Sequence, residues 1–212
     1  MNTARLIEAL SADVGPVRRA PLAKILSWVM VLGAVIAVCV MLATVGPRPG
    51  LAEAPAHFLA LKLLFSLSLA ISGGVVLFSA IHPGRDVRRL SRYLLLPIVV
   101  VGAAGVAALA LTPPAAWGEM VLGTHWAMCV VCIPLFATLP FALLIWGLRR
   151  GAPTELGRTG AIAGLVAGAL GAAAYSLHCP DDSLPFVAIW YAGSILLCGV
   201  VGKSLGRTLL RW

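Results

Sequence analysis

The sequence predicts an all-α fold, a polytopic membrane protein whose six transmembrane helices form one bundle. Hydrophobic residues make up 60% of the 212 residues, and charged residues make up only 11%. A soluble domain carries about 25% charged residues. The apolar residues also fall into six runs, each close to the roughly 20 residues that a helix needs to cross the hydrocarbon core. Lipid rather than water is therefore expected to cover most of the surface.

Residues that break helices separate the six runs. We expect spans at 24–45, 57–81, 93–112, 120–147, 158–178 and 184–206. Stretches rich in Gly and Pro, such as GPRPG at 46–50, lie between them and favour turns. The fourth run contains Pro134 and Pro140, so a tilt or kink is expected there. The chain thus divides into an N-terminal segment, 1–23, and a transmembrane domain, 24–212.

The positive charges predict how the spans are oriented. Of the 16 Lys and Arg residues, 14 lie in the N-terminal segment and its edge, in the loops at 82–92 and 148–158, and at the C-terminal end. Short loops rich in Lys and Arg stay in the cytoplasm. Both termini are therefore predicted to be cytoplasmic, and the 179–183 loop is predicted to lie outside. No Gly-rich phosphate loop accompanies the Arg clusters, so direct nucleic-acid binding is not expected.

Small residues predict where two of the helices pack. The fifth span has a glycine at every fourth position, and the sixth repeats this spacing near its end; the residues are Gly160, Gly164, Gly168, Gly202 and Gly206. Such spacing lets two helix backbones approach closely. Spans five and six are thus expected to share a close interface.

Cysteines and histidines collect near the outer ends of spans four and five: His125, Cys129, Cys132, His178 and Cys179. Consecutive spans usually neighbour each other, and three alternatives stay open. Cys179 forms a redox pair with Cys129 or Cys132, in an outer compartment that preserves disulfides. Alternatively Cys129, Cys179 and a histidine such as His178 bind a soft metal ion. In the third alternative the thiols only pack as small apolar side chains.

Three charged residues near this cluster have competing interpretations. Asp181 and Asp182 are either ligands or turn residues, and we favour a turn in which Asp182 or Ser183 caps span six. Lys62 lies within the second span. An intramembrane lysine is by default a functional group that seeks a partner, but its long stem also allows it to reach the headgroups. The sequence does not decide between these two.

The N-terminal segment contains one amphipathic pattern. Leu6, Ile7, Leu10 and Val14 recur at helical spacing, with charged residues such as Asp13 off that stripe. Gly15-Pro16 ends the pattern. A helix of about three turns is marginal alone in water. Its apolar stripe therefore needs a surface, which is the bundle itself, the lipid interface or the groove of a soluble partner.

Several motifs together resemble one known family over essentially the whole chain. They are LIEALSAD near the start, a Lys in span two, LRRGAPT after span four, YSLHCPDDSLPFVAIWY between spans five and six, and LGRTLLRW at the end. In this order they resemble the NrsF family of six-span anti-sigma factors of the bacterial inner membrane. The HCPDDS and terminal LRW pieces are the most specific.

The resemblance implies a regulator rather than an enzyme, with no cofactor. The chain would hold an extracytoplasmic-function sigma factor at the membrane and release it under oxidative or heavy-metal stress. The sensing residues would be Cys129 and Cys179, with Cys132, His178 and His125 nearby and a heavy-metal ion as one ligand. Contact with the sigma factor would use Leu6, Ile7, Leu10, Asp13 and Val14. The alternative function is a membrane thiol redox enzyme that exchanges disulfides.

Overall fold

The computed structural model describes residues 3–12, 20–51, 56–81, 87–151 and 153–211. These described residues form helices and turns, with no β-strand among them. The α-helices are Thr3–Ala12, Ala20–Thr44, Ala56–Ala80, Val87–Ser91, Leu95–Ala110, Trp117–Leu122, Trp126–Leu148, Leu156–Tyr175, Leu184–Phe186 and Ala192–Leu209. Short 3₁₀ turns at Arg92–Leu94 and Pro114–Ala116 and a π-helical turn at Val187–Tyr191 complete the set.

Six segments are long and apolar enough to cross a membrane, which confirms the predicted number. We name them spans one to six in chain order: Leu22–Thr44, Ala56–Ala80, Val87–Ala110, Pro114–Leu148, Leu156–Tyr175 and Leu184–Leu209. Span three begins earlier than predicted because Val87–Ser91 already forms a helical turn. Span four also begins earlier, at the 3₁₀ turn that opens with Pro114. The six helices fit a multi-pass membrane protein.

The interruption in span four lies at Gly123 rather than at the prolines. The helix Trp126–Leu148 continues through Pro134 and Pro140, whereas a separate helix ends at Leu122. Gly123 has a φ of +56°, a conformation that only glycine adopts readily. A Cβ atom there would also lie 2.8 Å from Cγ of Asp181. The break therefore makes room for the loop between spans five and six.

Span five forms the centre of the bundle. It is the most buried of the six spans and packs against spans two, four and six and, less extensively, span one. Its helix consists largely of Gly and Ala, and small residues let helices approach closely. Span three is the least buried span and packs against span two and the beginning of span six.

Glycines form the interface of spans five and six, as the spacing predicts. A Cβ atom on Gly164 would clash with the carbonyl group of Cys198, and one on Gly202 would lie 2.9 Å from Cα of Gly164. Backbone atoms cannot rotate away as a flexible side chain can. The contact therefore requires glycine on both helices.

Replacing Gly164 with valine should destabilise the fold by about 2 kcal/mol or more, at the upper part of the range for overpacking, because the obstacle is backbone. The matched control is Gly193→Ala, since a Cβ on Gly193 meets nothing within 4 Å and alanine suits a helix better. The melting temperature of each purified variant, measured by thermal unfolding in detergent, reports the effect. Equal melting temperatures for the two variants would contradict this interface.

Candidate functional site

The loop between spans five and six brings Cys179 to Cys129. Span five ends at Tyr175, and the amide of Cys179 donates to the Tyr175 carbonyl at 3.1 Å, which turns the chain back into the bundle. Cys129 lies in the first turn of the long helix of span four. Both cysteines are fully buried, and their thiols interact directly. Cys132 is buried one turn further along the same helix.

Two buried tyrosines flank the thiol pair. Tyr175 and Tyr191 are fully buried, and their ring centroids are 6.1 Å apart. Neither hydroxyl forms a well-aligned hydrogen bond within the described part of the chain. Tyr175 instead interacts with Cys129, and Tyr191 interacts with Cys179. The thiols are thus enclosed by two buried tyrosine side chains whose hydroxyl groups face them.

Lys62 is a buried partner of the Cys179 loop. Its side chain is 1% exposed, and Nζ donates to the carbonyl oxygen of Cys179 at 3.0 Å and to Oδ1 of Asp182 at 2.7 Å. The ring of Tyr191 lies 6.0 Å from the same ammonium group. The alternative that Lys62 reaches the headgroups is therefore wrong, and the alternative that it seeks a partner is confirmed.

Arg48 approaches the same carboxylate from the loop after span one. Its Nη1 atom lies 3.0 Å from Oδ2 of Asp182 and 3.3 Å from the carbonyl oxygen of Cys179. The two oxygens of Asp182 are thus divided between two cations. The sequence pattern predicts no functional role for Arg48. Arg48 is the one Lys or Arg in the loops predicted to lie outside. That isolated position is the sequence signal that could have pointed to a specific partner for this side chain.

Asp181 caps the long helix of span four. Its carboxylate accepts from the amides of Thr124 at 2.9 Å and His125 at 2.8 Å. Ser183, rather than Asp182, caps span six, since its hydroxyl accepts from the Phe186 amide at 3.2 Å. The predicted cap of span six is therefore confirmed for Ser183. The two aspartates bind different partners, one a helix N-terminus and the other two cations.

The two histidines do not join the thiols. His125 lies at the start of the long helix of span four, with Nδ1 at 2.6 Å from Oγ1 of Thr124. Nδ1 of His178 is 2.9 Å from the carbonyl oxygen of Gly46. Among the described residues, no group of three or more His, Cys, Asp or Glu side chains is arranged to hold a metal ion. A soft metal ion here would rely on the two thiols.

The surroundings favour the thiolate form of Cys179, which lies in the loop outside the helices. Hydrogen bonding from Cys129 lowers the pKa of Cys179 to about 7, against the opposing effect of burial, and the Lys62 ammonium group acts in the same direction. All five cysteines are free thiols in the structure. A thiolate is the form that attacks an oxidant or binds a soft metal.

The N-terminal helix is the second candidate region. Thr3–Ala12 is helical, as predicted, and has no buried residue. Its apolar residues Leu6, Ile7 and Leu10 are 43%, 62% and 67% exposed. Asp13 and Val14, the other two residues predicted to contact a partner, lie outside the described residues. The described part of the helix therefore presents an apolar stripe that the bundle does not cover.

The fold and the site together define a class: a helical multi-pass membrane protein with a buried thiol pair at one end and an exposed amphipathic helix in its N-terminal segment. The chain belongs to the NrsF family, whose model, described as "Negative regulator of sigma F", matches residues 10–212. This is a family of regulators, so the chain is not an enzyme. The alternative of a thiol redox enzyme is accordingly set aside.

Two curated relatives are similar to this chain over the full length of both proteins. The anti-sigma-F factor NrsF of Caulobacter vibrioides is 34% identical over 219 residues. The probable anti-sigma-F factor NrsF of Azospira oryzae is 30% identical over 215 residues. No solved structure matches the chain.

Replacing Lys62 with methionine should destabilise the fold by about 3 kcal/mol, because it removes one cation from a buried ion cluster. We expect the lower end of the range for a broken buried pair, since Arg48 still faces Asp182. The matched control, Lys24→Met, removes an exposed lysine at the start of span one. Thermal unfolding in detergent measures both variants, and an equal melting temperature would mean that the buried ammonium contributes nothing.

Proposed function

We propose that this chain is an anti-sigma factor of the bacterial inner membrane. It holds an extracytoplasmic-function sigma factor at its cytoplasmic face and releases it when Cys129 and Cys179 react with an oxidant or a heavy-metal ion. Membership of the NrsF family supports the anti-sigma role. The observation that carries the sensing part is the fully buried, interacting thiol pair at the end of the bundle.

The charges at the two ends of the bundle support this orientation. The end that carries the thiols has two cations within the described residues, Arg48 and Lys62, and both are paired with Asp182. The opposite end carries exposed basic side chains, including Arg149, Lys203 and Arg207. Exposed Lys and Arg stay on the cytoplasmic side. The thiols then face the oxidising outer compartment, where an oxidative or metal signal arrives.

Two reactions suit the thiol pair: oxidation to a disulfide by a peroxide, and binding of a soft divalent cation. With a peroxide, the Cys179 thiolate attacks an oxygen atom and displaces hydroxide. The Cys129 thiol then attacks the resulting sulfenic acid, and water leaves as the disulfide forms. Two thiols and one molecule of hydrogen peroxide thus give one disulfide and two molecules of water. With a soft divalent cation, both thiols lose their protons and the two sulfur atoms bind the metal.

The N-terminal helix is the proposed contact with the sigma factor. Its exposed apolar stripe fits helix-in-groove recognition, in which residues at helical spacing insert into a groove of the partner. Leu6, Ile7 and Leu10 form this stripe in the described helix, and we assign Asp13 and Val14 to the same contact.

Replacing Cys179 or Cys129 with serine should abolish release of the sigma factor while leaving its capture intact. Serine is close to cysteine in size, but its hydroxyl group neither attacks hydrogen peroxide nor binds a soft metal ion. The full-length protein in lipid nanodiscs, loaded with the sigma factor, is treated separately with cadmium chloride and with hydrogen peroxide. The two arms separate metal sensing from oxidation.

Cys39→Ser, which alters an exposed thiol of span one, is the control and should release the sigma factor normally. Normal release by Cys179→Ser would contradict the sensor.

Replacing Leu10 with aspartate should weaken capture of the sigma factor by about tenfold or more, because an ionised group in an apolar groove loses hydration without gaining a partner. Ala12→Asp is the matched control. It adds the same charge about 200° further around the helix, on the opposite face. Co-purification of the sigma factor with each full-length variant gives the bound fraction. Equal capture by both variants would move the contact away from the apolar stripe.

A further inference from the structure

Span one connects the two candidate regions. Its helix, Ala20–Thr44, is continuous over 25 residues, which corresponds to about 37 Å at 1.5 Å per residue. One end follows the N-terminal helix in the chain, with residues 13–19 between them. The other end leads into the loop at 46–48. A continuous helix is a rigid secondary element of the kind that can carry coupling between distant sites.

The loop after span one is hydrogen-bonded directly to the segment that carries Cys179. The amide of Arg48 donates to the carbonyl oxygen of Leu177 at 3.0 Å. Nδ1 of His178 contacts the carbonyl oxygen of Gly46 at 2.9 Å. One backbone hydrogen bond and one side-chain contact therefore hold this loop against the residues immediately before Cys179.

The side chain of Arg48 adds two further contacts on the other side of Cys179. Its Nη1 atom donates to the carbonyl oxygen of Cys179 at 3.3 Å and to Oδ2 of Asp182 at 3.0 Å. The side chain of Arg48 is 9% exposed and that of Asp182 is 17% exposed. Charge-assisted hydrogen bonds that are this shielded from water are among the stronger ones in proteins. Lys62 holds the other oxygen of Asp182, so the carboxylate is held from both sides.

We propose that Arg48 is a positioning residue that couples the Cys179 segment to span one, and that span one carries the signal to the N-terminal helix. This inference rests on the proposed function. A new bond to the Cys179 sulfur moves residues 177–182, whose carbonyl and carboxylate groups are the partners of Arg48. The loop at 46–48 must then follow or lose these contacts. The segment with these contacts and the segment without them are the two states that an allosteric signal requires.

The test uses Arg48→Gln in the full-length protein in nanodiscs, with three measurements on each sample. The first is capture of the sigma factor. The second is the loss of free thiols at Cys129 and Cys179 after treatment with cadmium chloride or hydrogen peroxide. The thiols that remain free are alkylated and counted by mass spectrometry. The third is release. We expect capture to stay within about twofold of the unmodified protein, and both thiols should still react, because Lys62 keeps its contacts with the carbonyl oxygen of Cys179 and with Asp182. Release is scored against the thiol reaction measured in the same sample. The inducer concentration for half-maximal release should rise by about fivefold or more, in the range typical of allosteric coupling.

Two further variants separate coupling from folding. Arg48→Lys keeps a cation beside Asp182 and should restore part of the release, whereas a merely structural arginine would show no such selective effect. Glu119→Gln, an exposed charge near the same end of the bundle, should behave as the unmodified protein. If Arg48→Gln fails to fold, a flexible Gly-Ser insert after Ala12 replaces it. The insert leaves the Arg48 contacts intact and should likewise permit capture but prevent release.

The outcomes distinguish this inference from the function on which it rests. If the unmodified protein releases the sigma factor in response to its thiols, and Arg48→Gln and the insert release it equally well, the coupling through span one is refuted and the sensor stands. If the unmodified protein reacts at its thiols but releases nothing, the proposed function itself fails. Loss of capture together with loss of release in Arg48→Gln, without rescue by lysine, would reduce Arg48 to a structural role.

Discussion

Asp182 presents one carboxylate oxygen to Lys62 at 2.7 Å and the other to Arg48 at 3.0 Å. In an apolar bundle an unpaired ion of this kind would be very costly. The cluster is therefore formed only when the second span, the loop after span one and the loop before span six all come together. Both cations also donate to the carbonyl oxygen of Cys179. The position of that cysteine thus depends on the same interaction that joins three parts of the chain.

The adjacent aspartate has a different function in the same loop. Asp181 neutralises the positive end of the long helix of span four by accepting from the amides of Thr124 and His125. That helix carries Cys129 in its first turn. The loop between spans five and six therefore holds Cys179 through Asp182 and the helix of Cys129 through Asp181. This division explains why two acidic residues follow a cysteine in an otherwise apolar sequence.

The buried position of Cys129 and Cys179 beside charged and hydroxyl groups fits the proposed sensor role better than a purely structural packing role. Structural cysteines in helices usually replace other small apolar residues. Here the pair lies between two tyrosine hydroxyls without well-formed hydrogen bonds among the described residues, beside a buried lysine. The environment of Cys179 lowers its pKa to about 7.

Much of this architecture can be predicted from the sequence, because lipid imposes strong rules. Span number follows from apolar length, and the interface of spans five and six follows from glycine spacing. Cys129 and Cys179 could be brought together because consecutive spans usually pack. The partners of Asp182 could not be predicted, because Arg48 and Lys62 lie more than 100 residues away from it in the chain. Nothing in helical periodicity relates residues at that separation. The break at Gly123 was also missed, because the prolines that follow it are the stronger local signal.

The most direct test of the anti-sigma account is co-purification from native membranes in mild detergent. A tagged full-length chain is compared with one that lacks residues 1–15, and bound proteins are identified by mass spectrometry. The account predicts that a sigma factor accompanies the full-length chain and is lost when the N-terminal helix is removed. The absence of any sigma factor from the full-length sample, in membranes where the factor is produced, would contradict it.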